Sequence, residues 1–265
     1  MAEKKNLRLD LLMADRGLVE TRSLAQRLII AGRVRVNGQV VIQPGNLVFP
    51  DAAVEVTEPP RFVSRGGEKL EAALERFAVA PTECICADVG ASTGGFTDCL
   101  LQRGARRVYA IDVGKGIFAW NLRNDPRVIL MEKTNARFLV ALPEPVDLVT
   151  IDVSFISLRL LFPVIRRWLT VDGQVVALIK PQFEAGRGQV GKGGVVRDPA
   201  THRRVLVEVL AAAVHDNFAV KGLMPSPIRG PAGNIEFLAH LCLNGALGDS
   251  SIPQMIDSVF MDAAG

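Results

Sequence analysis

Chemistry-bearing residues concentrate in Asp88-Val-Gly-Ala-Ser-Thr-Gly-Gly-Phe-Thr-Asp98. The apolar residues 84–87 precede this stretch as a buried strand would, and residues 99–103 follow at helical spacing until Gly104. Gly90, Gly94 and Gly95 thus fall in a tight turn between a strand and a helix N-terminus. There glycine admits positive φ, a ligand can come close to the backbone, and unpaired N–H groups face it. Ala91, Ser92, Thr93 and Phe96 complete the turn. No G-x-x-x-x-G-K-[ST] pattern is present, and no lysine follows to reach phosphates. Asp88, at the strand end, would repel a diphosphate and welcome an ammonium group. Asp112 comes roughly twenty positions later, where an acid bonds ribose hydroxyls. Asp152 and Lys180 each end an apolar run. Glu236 stands between Ile235 and Phe237, where a charge either faces water or is paired within a site. Lys69 lies in the first turn of a helix, where the dipole disfavours a cation.

These residues need a frame to bring them together. Strands beginning near 84, 107, 128, 146 and 174, with helices between, predict a doubly wound parallel sheet that binds ligands beyond the carboxyl ends of its strands. Asp88, Asp112, Asp152 and Lys180 all fall at such ends, and Asn135 lies just past the third strand, in the loop that borders a bound adenine. Residues 218–224 and 235–241 read as an edge hairpin pair, making the last strand antiparallel. The glycine-rich basic segment 186–197, with Arg187, Lys192 and Arg197, reads as a mobile loop. Asp198 caps a helix to about residue 216, and the tail from Gly245 ends in a short helix or disorder.

Residues 1–60 form a separate small α+β module. Leu7, Leu11, Leu12, Ala14 and Leu18 make one helical stripe; Leu24, Ala25, Leu28, Ile29 and Ala31 make a second, capped by Thr21 or Ser23 and ended by Gly32. Strand-like alternation then runs around Asn37-Gly38, a strong hairpin signal, and residues 54–56 supply a last strand. Arg8, Arg16, Arg22, Arg27, Arg33 and Arg35 all precede the hairpin turn and could form one face for phosphates. Two prolines at 59–60 pre-set an extended linker, 61–65, whose Arg65 is a further candidate RNA contact together with Arg187, Lys192 and Arg197.

Several of these patterns resemble known families. D-x-G-x-x-x-G after a first strand resembles the loop that binds S-adenosylmethionine, whose methionine part carries an ammonium. The run R-L-D-x-x-L…S-R…A-x-x-L-I-x-x-G-x-V-x-V-N-G resembles the RNA-binding domain first seen in ribosomal protein four of the small subunit. Lys69, Asp152, Lys180 and Glu236 resemble, in order and placement, the tetrad of FtsJ-type ribose 2′-O-methyltransferases. With SRGG-EKL, DVSFISL, KPQFE, GKGGVVRD and SPIRGPAGNIEFL, nearly the whole chain is similar to the TlyA family, rRNA 2′-O-methyltransferases also labelled haemolysins. The resemblance implies a Rossmann-like α/β methyltransferase domain over 66–265, S-adenosylmethionine as cofactor, no metal, and ribosomal RNA or ribosomal subunits as partner, with a cytidine as target. It implies Lys180 as the base or hydroxyl-orienting group, Asp152 positioning it, and Lys69 with Glu236 holding the ribose. A lysine can act as a base only when neutral, and burial and neighbouring carboxylates push that balance in opposite directions.

Composition narrows the field further. A chain of 265 residues, 49% hydrophobic and 22% charged, can bury a proper core. Its net charge of +3 is compatible with an anionic partner. Cys84, Cys86, Cys99 and Cys242 sit in apolar surroundings at spacings unlike a metal site, pointing to reduced thiols in a cytoplasmic protein. No signal peptide or spanning run is present, which speaks against a membrane-lytic reading. An inactive RNA-binding assembly factor is opposed by the intact tetrad. A base methyltransferase is opposed by Asp-Val-Ser-Phe, where N-P-P-Y-like motifs stand in such enzymes.

Overall fold

The chain divides into two units, Met1–Arg61 and Phe62–Gly265. The computed structural model describes residues 6–58, 60–245 and 251–262, without the side chains of Arg187 and Asp262.

In the first unit β1 (Leu7–Arg8) leads into α1 (Leu9–Asp15) and α2 (Arg22–Ile30), followed by β2 (Val34–Val36), β3 (Gln39–Val41), β4 (Leu47–Val48) and β5 (Val54–Val56). β2 is the centre of an antiparallel three-stranded sheet, with β3 joined to it through Asn37-Gly38; β1 pairs with β4. Thr21 caps α2 by accepting from the Leu24 N–H at 3.2 Å, satisfying a donor that a helix start otherwise leaves free. The stripe expected on the first helix is rotated. Leu7, Leu11 and Leu18 are exposed, and Leu9, Leu12 and Met13 face the core with Ala25 and Ile29. The helix starts at Leu9, so Leu7 belongs to a strand and sets no helical phase.

The second unit runs α3 (Gly66–Arg76), β6 (Ile85–Val89), α4 (Gly95–Gln102), β7 (Arg107–Ile111), α5 (Trp120–Arg123), β8 (Val128–Met131), β9 (Val146–Ile151), α6 (Phe162–Ile165), β10 (Leu169–Ile179), α7 (Pro181–Glu184), α8 (Pro199–His215), β11 (Phe218–Pro225), β12 (Phe237–Leu243) and α9 (Ile252–Asp262). The sheet order is β11-β12-β10-β9-β6-β7-β8, with β12 antiparallel to both neighbours and the β10-to-β8 pairings parallel. Helices cover both faces, which is why β6, most of β9 and the end of β10 are buried residue after residue rather than at alternate positions. One core lies on the α8 side, with Phe162, Leu206 and Phe237; the other lies under α3 and α4, with Leu70, Leu74 and Leu100. β6 has β7 on one side and β9 on the other, so the sheet changes winding direction there. A crevice opens at such a switch point.

Two boundaries and one loop differ from expectation. The stretch 62–65 is no linker: Phe62 is buried in the second core, and the Val63 N–H donates to Asp98 Oδ2 at 2.8 Å. A Cβ on Gly67 would lie 2.2 Å from Phe62 Cγ, so only glycine lets that ring pack. β10 starts at Leu169, earlier than the apolar run, because a register shift between Leu169 and Gln174 absorbs the polar turn. Segment 186–197, expected as a mobile loop, is pinned by Asn234. The tail does contain a helix, α9; residues 246–250 and 263–265 lie outside the described residues.

Candidate active site

At the switch point β6 ends in Val89, whose carbonyl accepts from the Asp152 N–H at 2.9 Å. Gly90 follows with φ +86°, and a Cβ there would stand 2.5 Å from the Asp152 carbonyl oxygen. Gly94 caps α4 in the left-handed region, so the free N–H groups of Gly95 and Phe96 open the helix at the crevice.

Asp88 is placed differently from its expected role. It lies within β6, fully buried, accepting from Thr97 Oγ1 at 2.7 Å and Thr150 Oγ1 at 3.3 Å. It therefore braces the turn from beneath and does not face a ligand's ammonium group. Burial pushes its carboxyl up to about 7, against the opposing effect of the Thr97 hydroxyl. In the unfolded chain the same group ionises in the ordinary carboxylate range near 4. The fold thus holds an extra proton between these limits: the stability is full below about pH 4, falls as pH rises, and levels off above about 7. Each pH unit in that window costs about 1.4 kcal/mol. Asp88→Asn should flatten this decline, read as urea midpoints at pH 4.5, 6 and 7.5. A variant profile parallel to wild type would refute the assignment. His240, pushed down to about 4 by burial, acts in the opposite direction and is common to both proteins.

Three cavities meet at Asp152. The first, about 590 Å³, is lined by Gly90, Ser92, Asp112, Asn135 and Phe155 with apolar walls from Ile117, Ile156 and Leu160. Asp112 accepts the Ser92 N–H at 2.7 Å and the Gly114 N–H at 2.6 Å, one on each oxygen, leaving lone pairs for a ligand's hydroxyls. Asn135 accepts the Arg137 N–H at 3.0 Å and is otherwise open. The second cavity, about 240 Å³, is bounded by Arg65, Ala91, Thr93, Gly95, Phe96 and Arg229. An apolar slot with a hydroxyl acceptor, joined to a compartment with two guanidiniums, suits an adenosine linked to a carboxylate-bearing chain. These residues fit S-adenosylmethionine.

The third cavity, about 920 Å³, gathers Lys69, Asp152, Lys180 and Glu236. Lys69 Nζ donates to Glu236 Oε2 at 2.6 Å, both groups being buried. Lys180 Nζ lies 2.6 Å from Asp152 Oδ1 and 3.1 Å from Ser154 Oγ. The Lys180–Asp152 contact is an ion pair without hydrogen-bond alignment: Asp152 Oδ1 has no aligned donor among the described residues. Glu236 precedes β12 rather than lying inside it, and Gln182 Nε2 donates to its second oxygen at 3.3 Å. All four residues expected to act together do meet, as two lysine–carboxylate pairs. Such pairs can hold a hydroxyl and shift its proton.

Other contributors carry weaker sequence signals. Phe155 is 89% exposed at φ +64° and leans on Phe183, ring centroids 4.8 Å apart, at the border of the first and third cavities. Buried Asn234 accepts the Val196 N–H and donates to the Gly194 carbonyl, both at 2.9 Å. The loop that glycine content marks as mobile is thereby clamped to the segment carrying Glu236. Lys192 and Arg197 are exposed on it; the Arg187 side chain lies outside the described residues.

In the first unit the arginines divide. Arg16 donates to the carbonyls of Pro50 and Ala52, Arg33 to that of Glu58 and Arg35 to that of Gly38. Arg8 and Arg22 both bond Asp10, and Arg8 foremost holds that carboxyl well below the usual range. Arg27 is exposed. Arg16 is thus tied by two donors within its own unit, and the six arginines expected to form one face differ in their partners.

Comparison with known proteins bears on both units. Residues 62–243 match the FtsJ-like methyltransferase family and residues 7–50 the S4 domain. The Bacillus subtilis protein YqxC is 50% identical over 91% of this chain and 87% of its own. The 16S/23S rRNA (cytidine-2′-O)-methyltransferase TlyA of Mycobacterium tuberculosis is 46% identical, covering 89% and 90%. Hemolysin A of Brachyspira hyodysenteriae is 42% identical, covering 89% and 100%. A solved Streptococcus thermophilus structure, named for a hemolysin, superposes with TM-score 0.72 at 44% identity over 99% of this chain and 98% of that one. Among the described residues no helix is long and apolar enough to cross a membrane. By its matched domains and these relatives, the chain belongs to the FtsJ-like methyltransferase family, in the TlyA group that carries an S4 domain.

Proposed function

We propose that this chain transfers a methyl group from S-adenosylmethionine to the ribose 2′-hydroxyl of a cytidine in ribosomal RNA, in the cytoplasm. The observation that carries this reading is the pairing of Lys69 with Glu236 and of Lys180 with Asp152, each at 2.6 Å, in a cavity that touches the glycine-turn cavities at Asp152. When bound, the cofactor supplies an electrophilic methyl group. Asp112 and Asn135 hold its adenosine, the Gly90–Phe96 turn its methionine part, and Arg65 or Arg229 the carboxylate. Lys180 takes or orients the 2′-hydroxyl proton, steadied by Asp152 and Ser154. Lys69, fixed by Glu236, holds the ribose. Holding the hydroxyl oxygen in line with the methyl group supplies much of the acceleration. Phe155 offers a ring face to the target base once it leaves its stack. Arg8, Arg22 and Arg27, with Arg33, Arg35, Arg187, Lys192 and Arg197, take the RNA phosphates.

The test is incubation of the purified protein with labelled cofactor and 16S or 23S rRNA, then nucleoside mass spectrometry and mapping of alkali-resistant linkages. The expected product is 2′-O-methylcytidine at a discrete position. A base-methylated nucleoside, or no transfer to either RNA, would refute the reading.

A further inference from the structure

Asp10 takes no part in the chemistry above, yet five donors converge on its carboxylate. Oδ1 accepts from Arg8 Nε and from the Leu11 N–H, both at 3.0 Å. Oδ2 accepts from Arg8 Nη2 at 3.0 Å, Arg22 Nε at 2.9 Å and Gln26 Nε2 at 2.8 Å. The Asp10 side chain is wholly buried, while those of Arg8 and Arg22 stay 43% and 49% exposed. Arg8 comes from β1 and Arg22 from α2, so one acid at the start of α1 ties together three elements.

The direction of the bonds matters. Arg8 gives Nε and Nη2 to the carboxylate, and Arg22 gives Nε. Arg8 Nη1 and both Nη groups of Arg22 donate to none of the described residues. A guanidinium anchored through one edge presents its remaining donors in a fixed plane, which suits the two oxygens of a phosphodiester. An untethered arginine must be immobilised on binding, which costs affinity. A sealed acid cannot itself touch RNA and repels it weakly; any benefit must pass through the arginines.

We propose that Asp10 is a positioning residue that holds Arg8 and Arg22 as a preformed clamp for the phosphodiester backbone of RNA. The clamp rests on the reading of the first unit as an RNA-binding one. It predicts the opposite sign from simple charge counting. Removing a negative charge near phosphates should tighten binding, whereas loosening two guanidiniums should weaken it.

Binding of the full chain to a 23S rRNA transcript is measured across a salt series for wild type, Arg8→Ala, Arg22→Ala, Asp10→Asn and the pair Asp10→Asn/Arg22→Ala. Asp10→Asn should bind about ten-fold more weakly. The slope of log K against log[salt] should shrink by about 1–2, as one or two phosphate contacts are lost. Adding Arg22→Ala to Asp10→Asn should cost much less than it costs in wild type. Arg8→Lys, which keeps the charge but has no fork to share, should also weaken binding. Equal or tighter binding by folded Asp10→Asn overturns the clamp. Unchanged affinity of both arginine variants overturns it too, and removes the RNA reading of this face with it. Should Asp10→Asn fail to fold, NMR of the free wild-type protein decides. Arg8 and Arg22 Nε–H signals are expected to be resolved and slow to exchange; exchange like free arginine refutes the clamp.

Discussion

Lys180→Ala is expected to abolish methyl transfer while leaving cofactor and RNA affinity nearly unchanged. Lys180 follows the last residue of β10 and reaches two polar partners, Asp152 Oδ1 at 2.6 Å and Ser154 Oγ at 3.1 Å, on the wall of the largest of the three cavities. The lysine ends an apolar strand, and besides these polar partners its ammonium lies 5.9 Å over the Phe183 ring, a contact alanine would also lose. Loss of the lysine leaves Asp152 without its cation partner, and the target hydroxyl without the group that orients it as an ammonium or, once neutral, takes its proton. Loss of positioned proton transfer costs about 10²- to 10⁴-fold in rate, and lost alignment adds to that. Lys180→Arg should fail as well, because a guanidinium has donors only and stays protonated at any working pH. Single-turnover transfer of a labelled methyl group, with calorimetry for the cofactor, separates chemistry from binding. Lys180→Arg within a few-fold of wild type would leave Lys180 an electrostatic role and end its assignment as proton acceptor.

Gly90→Ala should damage cofactor binding and turnover together. Sequence reasoning makes Gly90 a gap for the ligand; the structure fills that gap with the chain itself. The added Cβ would stand 2.5 Å from the Asp152 carbonyl oxygen and 3.2 Å from the Val153 Cα, both backbone atoms. At φ +86° the residue is also where a Cβ is strained, by about 1–2 kcal/mol. The backbone of 152–153 must retreat, carrying Asp152 away from Lys180 and widening the junction of the cavities. A displacement of about 1 Å in a reacting group costs on the order of 10²-fold. Calorimetry should show weaker cofactor binding, with turnover lowered by more than that loss explains and a reduced melting temperature. Near-normal turnover in the folded variant would show that Asp152 is not held by this contact.

Much of this was legible in the residues. Strand ends are marked by a change from apolar to charged, so Asp112, Asp152 and Lys180 could be placed on one edge of the sheet without coordinates. Where a strand stops is harder, because a buried acid looks like a terminus: Asp88 continues β6, since Thr97 and Thr150 satisfy it from two other elements. Phe155 gave no periodic signal, as its exposure follows from a strained φ. The Asn234 clamp was illegible for another reason: glycine content reports what a loop can do when free, not which distant side chain restrains it. Equal-looking arginines likewise separate only when their acceptors are known.

β12 lies between β10 and β11, and among the described residues the edge strand β11 pairs with β12 alone. Lys69 and Glu236 are 167 positions apart, and the acid directly precedes that inserted strand. On an elongating chain the glycine turn, β6, β7 and β9 are all made long before β12. The first cavity, lined by residues 89–161, can therefore form early, while the Arg229 wall of the second cavity and the Glu236 side of the third stay incomplete until β12 is being made. A ribosome making this protein meets no finished copy of its acceptor site on the nascent chain; competence arrives as the last strand slides into the sheet.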